Sequence, residues 1–250
     1  MPLCQDCARI LARNGNDTQK VISTSVYRNH QQCVTELAAR GCDLSAVDEI
    51  GDTMMHKAIY LQNLEMMDTL VSSGCCVNAR DASGTTPLMA TVTNADFSGT
   101  AYLLNKGADV NAISNRRTAI YGVILDSEQF TLRLLINGGA LPNICGAGEH
   151  LVMRQIWMNN ITNAIHLILA GAEVDLQRLR QFGNDEMTAA REQMIRYKFS
   201  LQHLARASIR RHLTFSGSNL YCTVHRLELP QKILNFILNP LEQESGVDAM

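Results

Sequence analysis

The run GTTPLMATVTNADFSGTAYLLNKGADVN, residues 84–111, decides the fold. Thr86 and Pro87 stand where a helix opens: a threonine hydroxyl can accept a first-turn backbone N–H, and a first-turn proline sacrifices no hydrogen bond. Ala101, Leu103 and Leu104 then recur at helical spacing. Gly107 follows them and can take the left-handed conformation that ends a helix. Asn111 lies four residues further on.

The same landmarks return along the chain. Gly41, Gly74, Gly107, Gly139 and Gly171 each follow an apolar helical run, at separations of 33, 33, 32 and 32 residues. Four residues beyond each stands Ser45, Asn78, Asn111, Asn143 or Asp175. Helix openings at Thr53, Thr86, Thr118 and His150 each precede the next glycine by 21 residues, whereas the glycine-to-opening intervals are 12, 12, 11 and 11. Length therefore varies only in the connection, as expected of a stack whose helical layer must keep register. A single such helix pair has apolar surface on two sides, and stacking is what buries both.

Composition agrees. The chain has 250 residues, 46% of them hydrophobic and 18% charged, an ordinary globular balance. A formal net charge of −2 gives no general attraction to nucleic acid or acidic membranes. Aromatics at 5% favour helices over sheets. The opening MPLCQDCARILARNG lacks the basic and apolar regions of a secretory signal, and no run reaches the roughly 18 apolar residues of a membrane helix. A cytosolic or nuclear setting is expected, in which the eight cysteines are reduced thiols. Zinc accepts the spacing of Cys4 and Cys7 with His30 and Cys33 as a second pair. Cys33, however, falls on a predicted amphipathic helix where its side chain has packing to do, so no metal and no cofactor are expected.

The period, the TPLM segment at 86–89, His56 within TMMHKA and the KGADVN run resemble the ankyrin repeat over residues 20–175. The resemblance implies about five repeats, the first, degenerate, one at Lys20–Gly41. Positions 116–118 lack the usual glycine, and 150–153 lack both threonine and proline. His56 occupies the family's histidine position, which implies a hydrogen bond to backbone across repeats. His150 and His166 have no nucleophile at helical spacing, and Cys75 and Cys76 sit at a helix C-terminus, where the dipole raises a thiol pKa.

After Asp175 the period fades. SLQHLARASIRRHL at 200–213 places Leu201, Leu204, Ala205, Ser208 and Ile209 on one helical face, and LELPQKILNFIL follows, with Pro230 opening a second short helix. Their order and spacing resemble the SOCS box, and the pairing resembles the ankyrin-repeat and SOCS-box family. The expected fold is all-α: an ankyrin solenoid with finger loops, then a small helical SOCS box. The expected segments are 1–19, an N-terminal segment; 20–175, the repeats; 176–199, a capping or bridging segment; 200–241, the SOCS box; and 242–250, a tail.

The resemblance implies a non-catalytic substrate receptor of an elongin–cullin ubiquitin ligase. It implies that Leu201, Leu204, Ala205 and Ile209 meet elongin C of the elongin B/C pair, Ala205 replacing the family's cysteine. It implies that Leu227, Leu229, Pro230 and Ile233 meet a cullin, cullin-5 with a RING-box partner, with Glu228 in place of the first proline. Target binding is expected on finger tips and inner helices, with Asp48, Glu49, Asp52, Arg80, Asp81, Arg116, Arg117 and Glu149 as candidates. A plain ankyrin binding module or scaffold without a ligase link is the alternative.

Overall fold

The computed structural model describes residues 3–13, 18–126, 129–144, 151–158 and 160–172. Expectations at Glu149, His150, Asp175, the bridging segment and the whole SOCS box lie outside these residues. Among the described residues all elements are helical, apart from an isolated bridge between Ser114 and Arg117.

The first compact unit extends to Ala108. It opens with α1 (Gln5–Arg13), a helix within the segment read as merely N-terminal. Three helix pairs follow: α2 (Thr18–Tyr27) with α3 (Gln31–Ala39), α4 (Met54–Tyr60) with α5 (Leu64–Ser72), and α6 (Pro87–Thr93) with α7 (Phe97–Asn105). The inner helices α2, α4 and α6 pack in succession, the outer helices α3, α5 and α7 do likewise, and α1 packs on α2. The core between them is Ile22, Leu37, Met54, Met55, Ile59, Met66, Met67, Leu70, Leu88 and Leu103, all fully buried. Each such side chain contributes about 1.5–3 kcal/mol. The second unit, from Asp109, contains α8 (Ala119–Asp126) with α9 (Gln129–Asn137) and α10 (Leu151–Trp157) with α11 (Ile161–Leu169). Here too α8 packs on α10 and α9 on α11.

Among the described residues, the sequence landmarks have structural tasks. Thr53 and Thr86 are extended N-cap residues whose hydroxyls accept the N–H of His56 and Met89. Gly41, Gly74, Gly107, Gly139 and Gly171 have φ of 86, 93, 88, 97 and 94°. The next N–H turns back to a carbonyl five residues earlier, as in Cys42 to Leu37, Cys75 to Leu70 and Ala140 to Leu135. The phased polar residue is a tether between repeats. Ser45 Oγ accepts the Cys76 N–H at 3.0 Å. Asn111 accepts the Leu141 N–H at 2.8 Å and donates to Gly139 O at 3.1 Å. Asn143 donates to Gly171 O at 3.1 Å.

The fingers carry a second glycine, Gly51 and Gly84, at φ 98 and 80°. Gly51 also accepts the Ala82 N–H of the next finger at 2.8 Å, and a Cβ built on it would stand 2.7 Å from Ala82 Cβ. In the finger without glycine, Asn115 and Arg116 take the left-handed conformation themselves, at φ 48 and 62°. The turn survives there at the cost of backbone strain.

His56 is fully buried, and its Nδ1 lies 2.8 Å from Thr53 Oγ1. The ring also interacts with the Thr85 and Thr86 backbone of the next repeat. Burial lowers the imidazole pKa, opposed by the Asp81 and Asp52 carboxylates and the Thr85 and Thr86 backbone.

Two outcomes follow from these contacts. Gly51→Ala should cost more in urea denaturation than Gly41→Ala: both incur about 1–2 kcal/mol of left-handed strain, but nothing lies within 4 Å of a Cβ at position 41. Equal losses would mean that the finger-to-finger approach carries no energy. Because the folded chain resists a proton that the unfolded chain takes at about pH 6.5, stability should hold above that value and fall below it, toward the folded pKa. Circular dichroism melts should therefore show a smaller loss of Tm below about pH 6.5 in His56→Asn than in the parent.

Candidate functional site

The finger between α3 and α4 is held by one carboxylate. Asp48 Oδ1 accepts the N–H groups of Ile50, Gly51 and Asp52 at 3.0, 3.1 and 3.1 Å. Its Oδ2 takes Lys57 Nζ at 2.6 Å and Ser23 Oγ at 3.3 Å. Burial alone would raise the Asp48 pKa, but Lys57 and the backbone N–H groups of Asp52 and Ile50 hold it below the usual carboxylate range. The next finger repeats the device: Asp81 Oδ1 accepts the Ser83 and Thr85 N–H groups at 2.9 and 2.7 Å, and Arg80 closes the loop on Gly84 O at 2.8 Å.

These bonds sort the charges nominated for target binding. Asp48, Arg80 and Asp81 are engaged in building fingers. Asp52 donates one such bond through its N–H and accepts one at its carbonyl, from the Asp48 N–H at 2.9 Å. In the second unit, the Arg117 guanidinium lies 4.8 Å from the centre of the Tyr121 ring, and Arg154 approaches the same ring at 5.9 Å. Glu49 is exposed and pairs with Lys20 at 3.4 Å, an interaction worth little in water. Arg116 is exposed at the tip of its finger.

The structure brings Asp48 and Glu49 together with Lys20, Ser23, Ile50 and Lys57 around a shallow hollow between α2, the first finger and α4. Ile50 is 81% exposed at its rim. A search for charged residues passes over it. The signal was present in DEIGD, where an apolar residue stands between a turn-forming Asp and a left-handed Gly and has no core to enter. Polar groups and one apolar knob around an open hollow suit protein recognition.

The Cys75 thiol, one of the pair at the end of α5, is buried. Burial pushes the Cys75 thiol up to about 12, with only Ser45 opposing, so burial, more than the helix dipole invoked from sequence, keeps it protonated. His166 is buried, and burial together with Arg133 lowers its pKa. Cys4, Cys7, His30 and Cys33, by contrast, converge on one another across α1, α2 and α3.

A family model of ankyrin repeats, in three copies, matches residues 22–114, and a SOCS-box model matches residues 199–238. A search of curated proteins finds no significant match. Ankyrin repeats followed in the same chain by a SOCS box are the module pair of the ankyrin-repeat and SOCS-box family, and the chain belongs to that family.

Proposed function

We propose that this chain is the substrate-recognition subunit of an elongin–cullin–SOCS-box ubiquitin ligase. The observation that supports this reading is the order of the two matched modules, a binding stack followed by a ligase-docking box. The stack holds a target protein, the box tethers the ligase, and ubiquitin transfer gains from raised effective concentration without chemistry in this chain. Target ubiquitination and degradation are the outcome.

Within the box, Leu201, Leu204, Ala205 and Ile209 supply the ridge that enters elongin C. Leu227, Leu229, Pro230 and Ile233 supply the surface for a cullin, which the family resemblance makes cullin-5 with its RING-box protein. On the stack, target contact is assigned to the hollow beside the first finger, with Ile50 as apolar anchor and Glu49 and Lys20 at its edge, and to Arg116 in the second unit. No helix among the described residues is long and apolar enough to cross a membrane, which accords with the cytosolic or nuclear setting proposed here.

Co-expression with elongins B and C tests the docking half. The parent chain should co-purify with both. Leu201→Ala, Ile209→Ala removes two aliphatic anchors worth about 1.5–3 kcal/mol each, so affinity should drop by about a hundredfold or more. Capture of elongins by the double variant at the parent's level would place docking elsewhere, and a parent chain that captures none would leave a plain ankyrin binding module.

A further inference from the structure

We propose that Cys4, Cys7, His30 and Cys33 form a structural zinc site that fastens α1 onto the first repeat. The four ligand atoms, three Sγ and one imidazole nitrogen, all lie within 4.8 Å of one another. His30 Nδ1 is 3.4 Å from Cys4 Sγ and 3.5 Å from Cys7 Sγ. Zinc–sulfur and zinc–nitrogen bonds of about 2.3 and 2.1 Å set tetrahedron edges near 3.6–3.8 Å. The two sulfur–nitrogen edges from Cys4 and Cys7 already match, and the rest need contract by about 1 Å at most.

The chain reaches this arrangement by departing from its own repeat pattern. His30, Asn63 and Asp96 occupy the same position, 33 residues apart, at the N-caps of α3, α5 and α7. Asn63 and Asp96 cap their helices with their side chains, accepting the N–H of Met66 and Gly99. His30 makes no such bond; its ring turns to the sulfurs instead. Cys33 stands where the next repeats have Met66 and Gly99. It is buried, as packing demands, and the same inward direction aims its sulfur at the other three groups. Packing and ligation, rivals for Cys33 in the sequence, are served by one side chain.

Polar groups face the sulfurs, but burial and the neighbouring Cys4 and Cys33 push the Cys7 thiol up to about 12, so the thiolates form only as an ion enters. The Cys4 N–H donates to Cys33 Sγ at 3.3 Å and the Cys7 N–H to Cys4 Sγ at 3.4 Å. Ser25 Oγ lies 3.2 Å from Cys7 Sγ. The two N–H donors offset the net −1 charge of a zinc ion held by three thiolates and a neutral imidazole, the three thiol protons passing to solvent as the ion enters. Three sulfurs and one nitrogen favour a soft tetrahedral ion over magnesium or calcium. Four protein ligands leave no open position, so the site is structural rather than catalytic. Among the described residues no other group of three or more candidate ligands converges.

Full-length protein purified with its elongin partners, or alone, should carry about one zinc per chain by inductively coupled plasma mass spectrometry. Exchange with cobalt alone should give the sulfur-to-cobalt charge-transfer band and the red d–d bands of a tetrahedral thiolate site. Two variants keep the test independent of folding. Cys4→Ser changes a half-buried residue just ahead of α1, and His30→Asn restores the cap that Asn63 provides. His30→Asn should keep its helical circular dichroism, lose the cobalt spectrum, and bind zinc more weakly by more than the 10–100-fold typical of altering an outer-sphere partner. Cys42→Ser, outside the cluster, should retain the metal. Metal-free parent protein, zinc retained in full by both variants, or a disulfide among Cys4, Cys7 and Cys33 in protein kept under reducing conditions would each overturn the proposal.

Discussion

Every other feature of this chain depends on one constraint: a helix pair with two apolar faces cannot bury both alone. In the first unit the inner helices α2, α4 and α6 and the outer helices α3, α5 and α7 each close the face that their neighbours leave open. Registration follows from that closure, because one repeat sliding by a residue would carry Met66, Met67 and Leu70 away from the core they share with Leu37 and Leu103. The constant 21-residue interval from helix opening to terminal glycine is the same constraint seen in sequence. Polar tethers such as Ser45 to Cys76 and Asn111 to Leu141 add direction to a contact that apolar burial leaves unaimed.

The period made most of the fold legible, because stacking imposes it on every repeat alike. Thr53, Thr86 and the five left-handed glycines stand in the roles that their sequence positions imply. Less legible were the features that break the period. Nothing in residues 1–19 repeats, so α1 had no template to betray it. The finger at 114–117 keeps its turn without glycine, a case in which tertiary context overrides local preference and two residues absorb the strain.

The fingers were legible as charged loops, but the direction in which each charge faces was not, for a physical reason. Charge density marks the fingers, but a carboxylate can face outward to a partner or inward to its own backbone, and sequence alone does not distinguish the two. Asp48 and Asp81 face inward. Ile50 faces out because the turn that Asp48 clamps gives it nowhere else to go. The cysteines teach the converse lesson: burial and ligation are rivals on paper, but where α1, α2 and α3 converge they are compatible.

This division of labour within a finger bears on how such a surface diversifies. Clamp and hinge, Asp48 with Gly51 and Asp81 with Gly84, fix the loop's path through backbone bonds, while the rim side chain contributes nothing to that path. Selection can exchange the rim side chain freely, since foldability is underwritten elsewhere. New specificities are then separated by single substitutions rather than by redesign, much as a tool changes its bit and keeps its handle.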